Sequence, residues 1–131
     1  MEKLKERLEV FEAALKTLEE INRQPASTIV RDATIQRFEY TTETAWKALK
    51  HFLLEHEGIE CNTPKGCARE CFKAGLLDEE ETNELLRLIN DRNLSSHTYI
   101  QELAQKIAST IPEYTCLLRK IADRIEAETD E

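Results

Sequence analysis

Glycine and proline are scarce in this sequence, at three residues each among 131. Strand-rich folds lean on these residues at their turns, whereas the abundant Ala, Leu, Glu, Lys and Arg favour helix. No β-strand pattern, internal repeat or low-complexity segment is present. A glycine-rich phosphate loop is also missing, as is any strand bearing the clustered carboxylates with which a nucleotidyltransferase holds magnesium, so the chain is not itself that enzyme. No uninterrupted apolar run approaches the ~20 residues of a membrane span, and Met1-Glu2-Lys3-Leu4-Lys5-Glu6 is not a signal peptide. The expectation is a soluble, cytoplasmic protein with no membrane partner.

Net positive charge is lacking too. The formal balance of −8 argues against a protein that coats DNA or RNA, and no DNA partner is expected. A local phosphate site remains compatible, because local charge decides it. The acid is concentrated in Asp78-Glu79-Glu80-Glu81, which reads as the negative opening turn of a helix, and in the tail from Glu126 to Glu131, which reads as a frayed, solvated end. Four cysteines occur, at 61, 67, 71 and 116, none in a C-x-x-C pair, and a cytoplasmic chain keeps them reduced. Cys67 and Cys71 share a helix face, which with Cys61 and His56 sketches a zinc site. Free thiols are the better reading, and neither metal nor cofactor is expected.

What is there is helical periodicity. Leu4, Leu8, Phe11, Leu15 and Leu18 alternate steps of four and three, and Asn22-Arg23-Gln24-Pro25 ends that helix. A second helix starts near Ser27 or Thr28 and runs to Glu57-Gly58, with Ile35, Phe38, Thr42, Ala45, Leu49 and Phe52 as its stripe. Trp46 and Leu53 widen that face, and Trp46 belongs to the core rather than to a base-stacking site. Pro64 opens a short third helix that reaches Ala74-Gly75. Asp78 caps a fourth, carrying Leu85, Leu86, Leu88 and Ile89 and stopping around Arg92 or Asn93. The last begins between Ser95 and Tyr99, with Thr98 and Gln101 as one capping box and Ser95 or Ser96 as alternatives. Its stripe is Ile100, Leu103, Ile107, Ile111, Tyr114, Leu118, Ile121 and Ile125, and Pro112 should kink or restart it. The expected fold is a single all-α domain over 1–131, an antiparallel up-and-down bundle of four long helices and one short one.

Glu39, Glu43 and Lys47 read as an i,i+4 surface ladder, and His51 and His56 as surface residues. Arg31 and Arg37 would enlarge a basic patch if their helix lay beside the central motif.

That motif is Arg92-Asn93-Leu94-Ser95-Ser96-His97-Thr98-Tyr99. It brings together a phosphate-binding fork, an imidazole and a phenol. On one uninterrupted helix Arg92 and His97 would lie about 140° apart, so convergence needs a break between them, and Asn93, Ser95 and Ser96 are residue types that break and re-cap helices. RNA carries its own nucleophile. A histidine can take the 2′-hydroxyl proton while a guanidinium meets two phosphoryl oxygens, leaving a 2′,3′-cyclic phosphate without a metal. A twofold dimer would supply a second histidine for the leaving oxygen. The same residues also suit a plainer role, with Arg92 ending one helix, His97 opening the next and Tyr99 packing in the core.

Arg92-Asn93-x-x-Ser96-His97-Thr98-Tyr99 resembles the R-x4-6-H signature of HEPN domains, and more narrowly the R-N-x-x-S-H-x-Y form of nucleotidyltransferase substrate-binding proteins. The resemblance extends to Arg37-Phe38-Glu39-Tyr40-Thr41 with Glu43, Trp46, Lys47 and Leu49, and covers essentially the whole chain. It implies a dimeric helical bundle paired with a minimal nucleotidyltransferase in a toxin–antitoxin system. The HEPN protein would be a metal-independent ribonuclease, silenced by AMP added to a tyrosine. On that pattern Arg92 holds phosphate, His97 is the acid/base and Tyr99 receives the AMP, with Asn93 and Ser96 as further phosphate- or nucleotide-binding residues. A second implication is also open: a non-catalytic subunit that binds a nucleotide or substrate near Arg92 and His97 and presents it to the transferase.

Overall fold

The computed structural model describes residues 2–129 as five α-helices: α1 (Glu2–Ile21), α2 (Thr28–Phe52), α3 (Pro64–Lys73), α4 (Glu79–Leu94) and α5 (Gln101–Thr129). A π-helical turn (Leu53–Glu57) extends α2, and a 3-10 turn (Ser95–His97) follows α4. There is no strand among the described residues, and the helices pack antiparallel as expected. No helix among them is long and apolar enough to cross a membrane. Of the acidic tail, Glu126 to Thr129 continue α5 with exposed side chains, and Asp130 and Glu131 lie outside the described residues.

The periodic stripes form the core. Leu4, Phe11, Leu15 and Leu18 of α1 meet Ile35, Phe38, Ala45, Leu49 and Phe52 of α2 and Ile107, Ile111, Leu118, Ile121 and Ile125 of α5, all buried in one cluster. Trp46 packs against that cluster from its edge. Each boundary has a local cause. The Ser27 hydroxyl accepts from the Val30 amide at the start of α2, and the Thr63 hydroxyl accepts from the Gly66 amide at the start of α3. Asp78 and Glu81 make a reciprocal capping box on α4. Gly58, at φ 65°, closes the π turn in the left-handed conformation that glycine alone adopts without strain.

Arginines join the helices. Arg119 of α5 reaches Glu12 and Glu19 of α1 at 2.8 and 2.7 Å. Arg124 of α5 meets Glu81 at 2.7 Å and donates to the Leu76 carbonyl at 3.1 Å. The capping glutamate of α4 is therefore also its tie to α5.

Four expectations need correction. The last helix begins at Gln101, with the Ala104 amide donating to the Ile100 carbonyl, so its first turn lies beyond Thr98 and the Thr98–Gln101 box does not form. Ile100 is consequently exposed rather than part of the stripe. Of the two expectations for Pro112, the restart does not occur: α5 runs on through it, with Pro112 facing solvent and Ile111 and Tyr114 buried on either side. The cysteines are not all free. Cys61 and Cys67 form a disulfide across a Cα separation of 5.4 Å, because the loop after Gly58 folds back onto the first turns of α3. That bond removes two thiolates from the sketched zinc site. Finally, His51 and His56 are half-buried, and the His56 ring stacks on Phe52 at 5.0 Å.

Candidate functional site

The end of α4 carries the motif, and the break that should bring Arg92 towards His97 is the tightening of the helix into a 3-10 turn. Arg92 lies in the last turn of α4, and Ser95 follows as its C-cap. The Ser95 hydroxyl is buried within 2.6 Å of the Arg92 carbonyl and 2.5 Å of the Glu39 carboxylate. Glu39 comes from the middle of α2. Its Oε2 also faces Arg92 Nη1 at 3.7 Å, with both side chains about one-third exposed. Charge and capping thus fix the α4 terminus against α2. The Nε of Arg92 is shielded from solvent and has no hydrogen-bond partner among the described residues.

His97 and Tyr99 form a separate pair. Both are exposed, their rings meet edge-on at 6.0 Å, and the Tyr99 hydroxyl lies 3.5 Å from His97 Nδ1. Tyr99 is 79 % exposed, which rules out the core-packing role. Asn93 and Ser96 are also exposed, and the Ser96 hydroxyl donates to the Asn93 carbonyl at 3.4 Å. The structure therefore joins His97 to Tyr99 and Arg92 to Glu39, and it presents Asn93 and Ser96 on the same solvent-facing segment.

The contact between Glu39 and Ser95 was not legible, although Ser95 reads as a re-capping residue and Glu39 lies in the stretch that carries the family resemblance. Glu39 reads from spacing as one rung of a surface ladder, but it turns to α4 and leaves Lys47 paired with Glu43 alone, at 3.5 Å. A signal did exist: Glu39 sits four residues after Ile35 and three before Thr42, at the edge of the buried stripe where a neighbouring helix passes. Arg37 and Arg31 do not enlarge a basic patch at the motif. Arg37 donates to the Thr17 carbonyl of α1 at 2.8 Å, and Arg31 pairs with Asp32 at 3.1 Å. Beneath the motif, the Tyr114 hydroxyl donates to Asp91 at 2.6 Å and its ring stacks on Phe38 at 5.9 Å. Burial, followed by the Asp91 contact, pushes the Tyr114 phenol well above its ordinary range.

Residues 6–127 match the family model described as nucleotidyltransferase substrate binding protein like. The chain belongs to that family, a HEPN-type domain. A crystal structure of a protein from Thermus thermophilus superposes with a TM-score of 0.85 at 43 % identity, over 88 % of this chain and 98 % of that one. A Haemophilus influenzae protein, HI0074, described as showing the fold of a substrate binding domain of a nucleotidyltransferase, superposes with a TM-score of 0.73. That match covers 91 % of this chain and 98 % of the other, and at 23 % identity it speaks to the fold alone. No curated protein matches at a significant level. For this substrate-binding family member the relation to solved folds thus spans nearly the whole chain.

Proposed function

We propose that this chain is the substrate-binding partner of a nucleotidyltransferase, and that its Arg92–Tyr99 segment is a metal-independent RNA-cleaving centre silenced by AMP transfer to Tyr99. Family membership supports the first half. The observation that carries the second is the exposed His97–Tyr99 pair, with a hydroxyl 3.5 Å from the imidazole and open to a partner enzyme.

In cleavage, His97 takes the proton of an RNA 2′-hydroxyl as that oxygen attacks the adjacent phosphorus. The bond from phosphorus to the 5′-oxygen breaks, and Arg92 meets charge on the phosphoryl oxygens. The leaving oxygen needs a proton, which the His97 of a second copy supplies in a homodimer with the two motifs near its axis. In silencing, the Tyr99 oxygen attacks the α-phosphorus of ATP held by the transferase, pyrophosphate leaves, and the phenolic proton passes to His97 or water. The new phosphodiester places a bulky anion against the histidine, where it obstructs RNA.

The test is incubation of the partner-free protein with bulk RNA in excess chelator, beside a His97→Ala variant. Intact mass must first show Tyr99 unmodified. Cleavage by the parent alone, ending in 2′,3′-cyclic phosphate, is the expected result. If the unmodified parent binds nucleotide or RNA without cutting it, the catalytic half fails and a non-catalytic binding subunit remains.

A further inference from the structure

Arg92 already has an anion beside it. The Glu39 carboxylate lies 3.7 Å from Nη1, close enough for charge attraction but longer than a hydrogen bond. Arg92 Nε, shielded from solvent, meets no acceptor among the described residues, and Nη1 makes no hydrogen bond to Glu39. The guanidinium is therefore steered without being saturated, whereas a phosphate would offer two oxygens at hydrogen-bond distance. Glu39 itself is more firmly held. Its Oε2 lies 2.5 Å from the hydroxyl of Ser95, which is 2 % exposed, so the carboxylate is fixed to the α4 cap and does not travel with the arginine.

We propose that Glu39 is a resident counter-anion of Arg92, a placeholder that substrate phosphate must compete with and displace from the guanidinium, and that Ser95 fixes it in that position. This rests on the reading of Arg92 as the phosphate-binding residue. Glu39 acts through Arg92 and is a positioning residue. It keeps the fork aimed at the motif surface when no RNA is bound, and its charge opposes anions that cannot satisfy the fork in two places. Weak single-oxygen anions are thereby held off, and the site favours a phosphodiester.

Glu39→Gln isolates the charge, because the amide keeps the side chain's size and its oxygen still accepts from Ser95. The probe is a fluorescein-labelled 2′-O-methyl oligoribonucleotide, which lacks the attacking hydroxyl and cannot be cut, with binding read by anisotropy on unmodified protein. Removing a charge that lies 3.7 Å from the guanidinium a phosphate would bind predicts roughly fivefold tighter binding at low salt, with the gain shrinking as salt screens the pair. Glu39→Asp keeps the charge and stays within about twofold of the parent. Thermal melts of each variant show that the bundle is intact. Equal or weaker binding by a folded Glu39→Gln protein overturns the proposal, as does a Glu39→Asp gain matching that of Gln. Arg92→Gln separates this failure from failure of the underlying reading. If it weakens binding and abolishes the Glu39→Gln gain, both stand. If it leaves binding untouched, Arg92 is not the phosphate residue and both fall.

Discussion

Two weak acids inside the bundle, Tyr114 and Cys71, show how a single side chain sets behaviour at high pH. Burial, assisted by Glu70, pushes the Cys71 thiol up from 9.0 to about 12, and burial with the Asp91 contact raises the Tyr114 phenol further. In both cases folding favours the protonated form. A raised folded pKa gives stability that is complete below the unfolded value and is lost as pH rises towards the folded one. The melting midpoint should therefore begin to fall above roughly pH 9, where an unfolded thiol ionises, and fall further above about pH 10, where an unfolded phenol does. Cys71→Ala should remove the earlier part of that decline, measured by circular dichroism melts from pH 7 to 11. Tyr114→Phe should remove the later part and cost about 2 kcal/mol at neutral pH, because Asp91 loses its donor. A midpoint indifferent to alkaline pH would contradict both assignments.

Helices were the easiest part of this molecule to read, and their partners the hardest. The stripes of α1, α2 and α5 follow from 3.6-residue periodicity, which says which face is apolar. Ser27 and Asp78 follow from the chemistry of orphan amides, and Pro64 from its fitness for a first helical turn, whereas the Thr63 cap was seen only in three dimensions. Periodicity does not say which helix lies opposite, so Glu39 read as a ladder rung although α4 passes beside it. Nor does it fix where a helix starts after an irregular turn, so the 3-10 segment at Ser95–His97 displaced the start of α5 and exposed Ile100. The motif residues themselves were legible, as a string; their division into an Arg92–Glu39 contact and a His97–Tyr99 contact needed three dimensions. At the head of α4, Asp78→Ala removes one half of the capping box and should cost about 1 kcal/mol in a urea titration. The loss should come without a change in urea slope, because the cap adds no surface to the unfolding transition.

The whole molecule is stapled at one side and tied by ion pairs at the others. The Cys61–Cys67 bond closes a short loop between the π turn and α3, and the pairing escaped a sequence reading that took the chain as cytoplasmic and its thiols as reduced. A loop of that size restricts the unfolded chain by about 2 kcal/mol on the chain-entropy account. Dithiothreitol should lower the melting midpoint accordingly, and Cys67→Ser should melt at the reduced value with or without reductant. An unchanged midpoint on reduction would mean that packing around Cys67, not the bond, holds α3 in place.

The arginines lead to a different consequence. Arg31, Arg92, Arg119 and Arg124 each sit beside a carboxylate of their own chain, on a molecule whose formal charge is −8. These four cations carry their counterions as side chains. An RNA that docks on the molecule meets a chain of net negative charge and, at Arg92, a cation already beside a carboxylate. Fewer of the small ions condensed along the RNA backbone are set free there, and less of the entropy that drives most nucleic-acid binding is gained. On the proposed reading, RNA is held chiefly through the shape and chemistry of a few nucleotides at the end of α4, and less through the net charge of the long polyanion.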